Sequence, residues 1–582
     1  MDKKQIMLGN EAVARGLYEA GCSFVSSYPG TPSTEITENA AAYEEIYAEW
    51  ASNEKVALEC ALGASLAGAR SFCGMKHVGL NVAADPLFIS SYIGINGGIV
   101  IAVADDPGMH SSQNEQDSRH YAIAAKIPML EPADSSECLS YTKLAYELSE
   151  QFETPVLLRL STRVSHSQSI VSLSERSEVP MKEYVKDPAR YVMMPGNARV
   201  RHTVVEKRLQ AIEQYADTSA VNRVEMHDTS IGIITAGIAY CYAKEAFGNH
   251  ASYLKLGMVY PLPSKLIQSF AKKVDRVIVI EELDDIIETA CKKLGIQTDG
   301  KNLLSLCSEY SADLLKEKLL GQSPVFTPYD GSVPNRPPVM CPGCPHRGLF
   351  YTLKKMKLTV CGDIGCYTLG AVPPLGAIDS TFCMGASVTT LHGFTKVRPE
   401  NANKTVAVIG DSTFMHSGIT GLVNITYNKG ISTVLILDNS ITGMTGHQHN
   451  PCTGFTLKGE AVTGILPEKI CEAAGVDPDH IRITDPNNVK KLEAILKEEL
   501  AYPAPSVIIV RRPCALLKYV KKDKLCIINK DACRNCKSCM AIGCPAISMS
   551  ADGKPEVNST LCTGCELCAR MCRCNAIETK AK

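Results

Sequence analysis

One stretch of the chain decides its fold: residues 404–446, which read KTVAVIGDSTFMHSGITGLVNITYNKGISTVLILDNSITGMTG. Two apolar segments each end on polar residues, Asp411 after TVAVIG and Asp438 with Asn439 after STVLIL. The segment between them suits a helix, so the stretch predicts two parallel strands joined by a helix. Ligands of open parallel sheets bind at the carboxyl ends of the strands. A carboxylate and an amide oxygen at neighbouring strand ends therefore predict a Mg²⁺ site.

The composition is that of a globular protein with several domains. The 582 residues have room for about three or four domains. A net charge of −2 indicates neither a nucleic-acid nor a membrane-surface partner. The first residues, MDKKQIMLGNEAV, lack the apolar core of a signal peptide, and no apolar run has the length of a membrane span. We therefore expect a cytoplasmic protein.

Cysteine is frequent, with 25 in the chain, of which ten lie between Cys526 and Cys574. Without an export signal, this number argues against a disulfide framework. The ten include two runs, C-x2-C-x2-C-x4-C-P and C-x2-C-x2-C-x3-C. Three thiolates within seven residues fit a [4Fe-4S] cubane better than a zinc site built from two separated CxxC pairs.

The two runs resemble those of two-cluster bacterial ferredoxins, in which the fourth cysteine of each run ligates the other cluster. Carried over, the resemblance assigns one cluster to Cys533, Cys536, Cys539 and Cys572, and a second to Cys562, Cys565, Cys568 and Cys544. The sequence departs from the pattern in the x4 spacing before Cys544 and in Arg573, which stands where proline is usual. Cys574 is a nearby competing ligand.

The first 185 residues alternate helical and strand patterns, as in a parallel sheet covered on both faces. The loop YPGTPS (28–33) follows a strand, and its prolines fix the backbone. Glu54 follows Ser-Asn and opens a helix rich in small residues. A Glu in the first turn of a helix is usually there to complement the helix dipole.

Taken with the GDS…DN pattern of residues 410–439, these features resemble the thiamine-diphosphate-dependent 2-oxoacid:ferredoxin oxidoreductases, and most of all their indolepyruvate branch. The resemblance implies that Glu54, nine residues before Gly63 of a G-A-x-x-A-G stretch, hydrogen-bonds the aminopyrimidine ring of thiamine. It implies that Thr31 contacts the substrate carboxylate. A carboxyl that shares a proton with the ring nitrogen promotes the tautomer that forms the reactive ylid.

The same resemblance assigns the Mg²⁺ ligands to Asp411, Asn439 and the backbone carbonyl of Ile441. Ser412 stands where many members have glycine, a mild departure. The further residues expected to contact the cofactor are Ser412, Gly365, Cys366, Met384, Gly385 and His346.

A third, proximal [4Fe-4S] cluster is implied by cysteines in three local contexts that recur in the family: CPGC, IGC and a turn after a strand. They are Cys341, Cys344, Cys366 and Cys514. A zinc site is the main alternative, and Cys361 and Cys452 are spare thiols that could upset the assignment. The scattered cysteines of the first 310 residues read as small buried hydrophobes.

Substrate contacts are expected from the run MKHVGLN (75–81), with Lys76, His77 and Asn81 as candidates. Lys76 or His77 could neutralise a 2-oxoacid carboxylate, and either could equally be a solvated loop residue. A second polar run, DDPGMHSSQN (105–114), resembles another active-site loop of the family.

The predicted architecture is α/β and multidomain. We predict a pyrimidine-binding thiamine domain (1–185), a linker (186–225), a transketolase C-terminal-like α/β domain (226–325), a diphosphate- and Mg²⁺-binding thiamine domain (326–525) and a small α+β domain like a two-cluster bacterial ferredoxin (526–582). In the transketolase-like part, IGIITAG, YLKLGMVYP and RVIVIEE read as strands.

The resemblance implies oxidative decarboxylation of aryl 2-oxoacids, such as indole-3-pyruvate, to acyl-CoA and CO₂, with electrons passed through the clusters to ferredoxin. CoA is then a co-substrate, and a smaller beta subunit is expected as partner, in a dimer of such pairs. Three alternatives stay open: a related enzyme for aliphatic 2-oxoacids, a non-redox thiamine decarboxylase or carboligase, and an electron-transfer scaffold whose thiamine half is inactive.

Overall fold

The computed structural model describes residues 3–324, 329–334 and 337–582. The chain forms two compact units, an N-terminal unit, Met1–Asp330, and a C-terminal unit, Gly331–Lys582. The predicted domain boundary between residues 325 and 326 lies outside the described residues. Among the described helices, none has the length and apolar character that a membrane span needs.

The N-terminal unit is built on a parallel sheet, as the alternating pattern predicts. Its strands lie in the order β6-β7-β5-β4-β2-β3, and β4 and β5 are buried along their whole length because helices cover both faces. β1 and β8 form a separate antiparallel ribbon. The strands of the first part of the unit are β1 (Lys3–Leu8), β2 (Phe24–Ser27), β3 (Tyr47–Trp50), β4 (Ser71–Lys76), β5 (Ile99–Asp105), β6 (Met129–Leu130), β7 (Val156–Ser161) and β8 (Gln168–Leu173). Its helices are α1 (Gly9–Glu19), α2 (Thr34–Ala40), α3 (Glu54–Leu66), α4 (His77–Val82), α5 (Ala84–Ile93), α6 (Arg119–Ala125), α7 (Ser135–Phe152) and α8 (Thr162–His166).

A second sheet, of order β14-β13-β10-β11-β9, follows in the same unit. The strands after residue 173 are β9 (Arg223–Glu225), β10 (Ile231–Ala236), β11 (Ser252–Leu256), β12 (Met258–Tyr260), β13 (Arg276–Ile280) and β14 (Thr298–Asp299). The helices are α9 (Pro188–Tyr191), α10 (Pro195–Ala216), α11 (Gly237–Phe247), α12 (Ser264–Ala271), α13 (Ile286–Lys293) and α14 (Ala312–Leu320). Much of the predicted linker is therefore helix α10.

The prediction of one strand over YLKLGMVYP is wrong. The segment breaks at Gly257 into β11 and β12, and β12 leaves the second sheet to pair antiparallel with β6 of the first. A side chain at Gly257 would meet the Tyr141 hydroxyl and the Val221 carbonyl at 2.5 Å each. The Asn222 side-chain oxygen accepts the backbone N–H of Gly257 at 2.9 Å and that of Met258 at 3.0 Å. The break is thus held by tertiary contacts that an apolar pattern does not reveal.

The C-terminal unit contains the strand–helix–strand stretch, and it forms as predicted. Its parallel sheet has the order β15-β16-β17-β19-β18. The strands are β15 (Thr359–Cys361), β16 (Thr405–Gly410), β17 (Thr433–Asp438), β18 (Ile481–Thr484) and β19 (Ser506–Arg511). The helices are α15 (His346–Met356), α16 (Ala386–Val397), α17 (Asp411–Thr413), α18 (Ile419–Tyr427), α19 (Pro467–Ala473) and α20 (Val489–Ala501), and a π-helical turn, Phe414–Gly418, joins α17 to α18.

The last residues form a small α+β region within this unit, as predicted. β20 pairs antiparallel with β23, and β21 pairs antiparallel with β22. The elements are β20 (Lys524–Ile528), β21 (Ile547–Met549), β22 (Pro555–Val557), α21 (Leu567–Met571) and β23 (Ile577–Ala581). A buried cluster there contains many of the cysteines, so thiols take much of the place of an apolar core.

Candidate functional site

The three predicted Mg²⁺ ligands lie together where β16 and β17 end. The side-chain oxygen of Asn439 lies 3.3 Å from Asp411 Oδ1 and 2.7 Å from the carbonyl oxygen of Ile441. In this orientation the amide oxygen of Asn439 also lies 3.4 Å from the backbone nitrogen of Ile441. If the amide is rotated by 180°, its nitrogen donates to Asp411 Oδ1 and to the carbonyl of Ile441 instead. Neighbouring ligands in an octahedral Mg²⁺ site, with bonds of 2.0–2.1 Å, lie about 2.9 Å apart. Three converging oxygens at this spacing fit a divalent cation.

The Asp411 carboxyl is buried next to a second carboxylate, a setting in which a bound cation is favourable. Its side chain is 2% exposed, and burial, followed by the nearby carboxylate of Asp438, raises its pKa to about 7. Asp438 itself is paired with Arg511, Nε to Oδ2, at 2.6 Å. The amide of Asn450 lies 3.5 Å from Asp411 Oδ2. A cation beside Asp411 would offset the cost of burying the carboxylate.

Three of the predicted cofactor contacts, Ser412, Met384 and Gly385, are each held by a neighbouring hydroxyl-bearing residue. The hydroxyl of Thr442 donates to that of Ser412 at 3.0 Å. Ser417, in the π-helical turn, donates to the carbonyl of Met384 at 2.8 Å. Gly385 caps α16 with a φ of 85°, and a side chain there would collide with Ser417, so only glycine fits. Single π turns inside α-helices often mark functional sites.

His346 and Gly365 flank the same sheet end. His346 is buried at the start of α15, and burial lowers its pKa to about 4, so the ring is neutral at pH 7. Its ring stands edge-to-face on Tyr367, with centroids 6.0 Å apart. A side chain at Gly365 would run into the same tyrosine ring.

Asp363 was missed in the sequence, although it follows β15 as Asp411 follows β16. It is buried, and its carboxylate accepts the backbone N–H groups of Gly385 at 2.9 Å and Ser387 at 3.0 Å. Burial raises its pKa and these hydrogen bonds oppose the rise. Asp363 therefore fixes the loop that carries Met384 and Gly385. The repeated Gly-Asp at a strand end was the available signal.

The structure brings the four predicted proximal-cluster cysteines together. Burial raises the pKa of Cys366 to about 11, and the nearby thiols of Cys514 and Cys341 add to the rise. Burial likewise raises the pKa of Cys344 to about 12, with Cys366 and Cys341 as further causes. The spare thiols lie elsewhere: Cys361 and Cys452 belong to the apolar core on the other face of the sheet.

One loop connects the Mg²⁺ ligands to this set of thiols. The backbone N–H of Cys514 donates to the carbonyl of Asn439 at 2.9 Å. Gly443 lies beside Cys366, whose sulfur would be in ordinary van der Waals contact, at 3.5 Å, with a side chain at that position. The sulfur of Cys514 lies 3.8 Å from His447 Nε2. The loop that holds the predicted Mg²⁺ ligands Asn439 and Ile441 thus lies beside two of the four predicted proximal cysteines.

Two sets of C-terminal cysteines lie close together, and each includes members of one of the sets predicted from the sequence. In the first, burial raises the pKa of Cys539, and the thiols of Cys533, Cys572 and Cys536 contribute further. Cys572 accepts the N–H of Ala576 at 3.2 Å, the kind of hydrogen bond to sulfur that tunes an iron–sulfur site. Cys536 also lies within hydrogen-bonding reach of the competing thiol, Cys574.

The second group holds a thiol that the sequence assignment left out. Cys568 is surrounded by Cys526, Cys565 and Cys544, and the hydrogen bond with Cys526, followed by burial, raises its pKa. The N–H of Cys526 donates to the sulfur of Cys562 at 3.4 Å. Cys526 lies on β20, seven residues before the first run, and belongs to neither run, so no spacing rule points to it.

In the described ranges, no three His, Cys, Asp or Glu side chains gather closely enough to ligate one metal ion. The cysteines of a cubane bind separate iron atoms, so their sulfurs stand apart. Each set of thiols described above contains at least four cysteines that lie near one another, as a cubane requires.

The N-terminal unit brings together a second set of predicted residues. Glu54, at the start of α3, is 4% exposed, and its carboxyl lies against Gly79, where any side chain would come within 2.7 Å of Oε1. Lys76 is 8% exposed and donates to the carbonyl of Ser111 at 2.8 Å. Burial lowers the pKa of Lys76 to about 8, and the carboxylates of Asp106 and Glu54 oppose this.

The remaining predicted contacts lie around Lys76. The loop of Thr31 packs on it, since a side chain at Gly30 would lie 3.3 Å from Lys76 Cγ; Thr31 itself is half-buried. His77 is buried, with Nε2 3.1 Å from the Asn114 side-chain oxygen; its Nδ1 has no hydrogen-bond partner among the described residues. Asn81 is exposed and donates to Gln116 at 3.1 Å.

Known proteins match both units. The thiamine diphosphate-binding domain of pyruvate flavodoxin/ferredoxin oxidoreductases matches residues 15–231, and the C-terminal binding domain of thiamine pyrophosphate enzymes matches residues 363–510. The Indolepyruvate oxidoreductase subunit IorA of Archaeoglobus fulgidus is 40% identical over 99% of this chain and 97% of its own length. The protein of the same name from Pyrococcus horikoshii is 38% identical over 99% of this chain and 97% of its own length. A solved 2-oxoglutarate:ferredoxin oxidoreductase from Magnetococcus marinus aligns with a TM-score of 0.48 and 18% identity, over 55% of this chain and 65% of that one.

The folds and matched domains define a class, the thiamine-diphosphate-dependent oxidoreductases that act on 2-oxoacids. Within that class, the chain belongs to the family of the IorA subunit of indolepyruvate oxidoreductase, because identity of 38–40% extends over nearly its whole length. The resemblance predicted from the motifs is thereby confirmed, and so is thiamine diphosphate as the cofactor.

Proposed function

We propose that this chain oxidises aryl 2-oxoacids, such as indole-3-pyruvate, to acyl-CoA and CO₂, and passes the electrons through [4Fe-4S] clusters to ferredoxin. The name of its relatives supports the indolepyruvate substrate. One observation carries the redox part: the backbone N–H of Cys514 donates to the carbonyl of Asn439 at 2.9 Å. The contact puts a proposed cluster ligand directly beside a proposed Mg²⁺ ligand, which a decarboxylase without electron transfer has no need of.

In the C-terminal unit, Asp411, Asn439 and the Ile441 carbonyl would hold Mg²⁺ against the diphosphate of the cofactor. When bound, thiamine diphosphate supplies a thiazolium ring that accepts the electrons left by departing CO₂. Asp363 keeps the loop of Met384 and Gly385 in place through its two backbone hydrogen bonds. Ser412 and His346 complete the surroundings with a hydroxyl and a neutral imidazole.

In the N-terminal unit, Glu54 would hold the proton at the ring nitrogen of the aminopyrimidine. Its burial suits that role, since a carboxyl away from water exchanges a proton with its partner instead of with solvent. The Lys76 ammonium and the Thr31 hydroxyl would receive the substrate carboxylate. The buried Nδ1 of His77 is a further group able to hydrogen-bond the substrate.

The electrons would leave through three clusters. Cys341, Cys344, Cys366 and Cys514 would bind the proximal one, Cys562, Cys565, Cys568 and Cys544 the next, and Cys533, Cys536, Cys539 and Cys572 the last. Iron–sulfur centres take up single electrons, which suits a two-electron oxidation completed in two steps. The relatives are named as a subunit, which supports a partner subunit here. That this partner is smaller and that two such pairs form a dimer are further parts of the proposal.

The test is an anaerobic assay of this chain co-expressed with the smaller subunit, with CoA and ferredoxin. Indolepyruvate, phenylpyruvate and pyruvate are compared by kcat/KM, and we expect the aryl substrates to exceed pyruvate at least tenfold, as roughly 1.4 kcal/mol of extra apolar burial would give. Equal or faster turnover of pyruvate would place the chain with enzymes for aliphatic 2-oxoacids. Aldehyde released without ferredoxin reduction would identify a non-redox decarboxylase.

A further inference from the structure

We propose that Arg347 is a positive charge shared by two iron–sulfur clusters, and that it raises the reduction potential of both. The two are the proximal cluster and the C-terminal cluster that includes Cys544 and Cys565. The inference rests on the cluster assignment of the proposed function and adds a positioning residue to it.

Arg347 joins two regions that are far apart in the chain. It lies in the first turn of α15, three residues after Cys344, and its side chain is 3% exposed. Its Nε lies 3.3 Å from the carbonyl oxygen of Cys341, and it also donates to the carbonyl of Met340. Its Nη1 donates to the carbonyl of Ile542 at 3.1 Å, just before Cys544. One guanidinium therefore connects the loops of two cysteine groups.

Within the part of the chain that the structure describes, no carboxylate balances the charge of Arg347. It forms no ion pair with Asp or Glu there, and its hydrogen-bond acceptors are backbone carbonyls. The thiols of Cys544, Cys344, Cys341 and Cys565 lie near enough to interact with its charge. A buried cation without a counter-charge is costly.

Two clusters would supply the missing negative charge. A cubane held by four thiolates is an anion, and it gains a further negative charge when it accepts an electron. A fixed cation nearby favours the reduced form, so it raises the reduction potential. Because Arg347 lies among cysteines of both groups, its removal should lower two potentials together. The third cluster, whose cysteines are not among its neighbours, should keep its potential.

The experiment is an EPR-monitored redox titration of the holoenzyme in wild type, Arg347→Gln and Arg347→Lys. We expect Arg347→Gln to lower the midpoint potentials of the proximal cluster and one C-terminal cluster, and Arg347→Lys to restore part of both shifts. A Cys533→Ala variant, which removes the last cluster, assigns the signals. Should Arg347→Gln fail to assemble, Arg347→Lys alone must still shift the same two potentials, by less.

Arg512→Gln is the matched control. Arg512 also lies near Cys565, but it is partly exposed and pairs with Asp485, Nη1 to Oδ2, at 2.8 Å. Its loss should leave the proximal cluster unchanged. The proposal is overturned if removing Arg347 shifts no potential, only one, or all three alike.

Failure of the underlying assignment gives a different result. Wild type should contain about twelve iron atoms, for three cubanes, and Cys341→Ser should lower that number. Iron at the level of two clusters, unchanged by Cys341→Ser, contradicts the proximal cluster and this inference with it. If three clusters are present but neither Arg347 variant shifts a potential, the role of Arg347 is contradicted while the cluster assignment stands.

Discussion

The two units position their candidate functional residues in different ways. In the C-terminal unit, Asp411 and Asn439 follow directly on two neighbouring strands, and the cysteines lie in short runs. In the N-terminal unit, Glu54 opens a helix while Lys76 ends a strand, and the Glu54 carboxyl has room beside α4 because residue 79 is glycine. The proposed metal ligands thus follow directly on strands that the sequence predicts, whereas the proposed acid–base and substrate groups depend on how separate elements pack. If this division is right, each half can be disabled while the other stays intact.

The largest effect is expected at Glu54. Glu54→Gln keeps the shape of the side chain but not its acid–base function, so turnover should fall about a thousandfold, within the usual range for a lost general acid or base. Iron content and cofactor binding should stay at wild-type levels. Glu59→Gln, on the exposed side of the same helix where Glu59 pairs with Lys55, is the control and should keep full activity. Full activity of Glu54→Gln, with loss of activity in Glu59→Gln, would contradict the assignment of Glu54.

The next largest effect concerns the Mg²⁺ site. Asn439→Ala removes one of the converging oxygens, so affinity for thiamine diphosphate with Mg²⁺ should fall by at least about 100-fold. Equilibrium dialysis measures this directly, and the iron content should not change. Asn424→Ala removes an exposed asparagine from α18 and should bind like wild type. Unchanged affinity in Asn439→Ala would refute the site.

A smaller, local effect separates two neighbouring thiols. Cys572→Ser should remove one of three clusters, so iron content should fall by up to about a third. Cys574→Ser should retain all the iron, because Cys574 lies near Cys536 without being needed as a ligand. Loss of iron only in Cys574→Ser would mean that the departure from the ferredoxin pattern at Arg573 has moved the ligand by two residues.

The last prediction concerns substrate binding at Lys76. Its pKa of about 8 means that the ammonium is charged below that pH and neutral above it. If it binds the substrate carboxylate, KM should be constant below about pH 8 and rise above it. Lys76→Met should raise KM roughly tenfold at pH 7, as loss of one charge-assisted hydrogen bond does, and should abolish the pH dependence. A pH profile that survives the substitution would assign the ionisation to another group.

Much of the fold followed from patterns of apolar residues. Parallel strands ending on polar residues were correctly predicted, because burial on both faces leaves a continuous apolar run. The break at Gly257 was not, since β12 is recruited by a strand more than a hundred residues away. Arg347 was not singled out in the sequence, because the role proposed for it depends on carbonyls near residue 543. Cys526 likewise reaches the cysteine runs only through the pairing of β20 with β23.

Anaerobic EPR of the thiamine-loaded enzyme with its partner subunit, before and after indolepyruvate and CoA are added, tests most directly whether one redox enzyme spans both units. We predict a radical or reduced-cluster signal that requires the substrate and disappears in Glu54→Gln, while dithionite still reduces the clusters of that variant. Clusters that dithionite reduces but that respond to no 2-oxoacid, even in wild type with its partner, would contradict it and favour an electron-transfer scaffold.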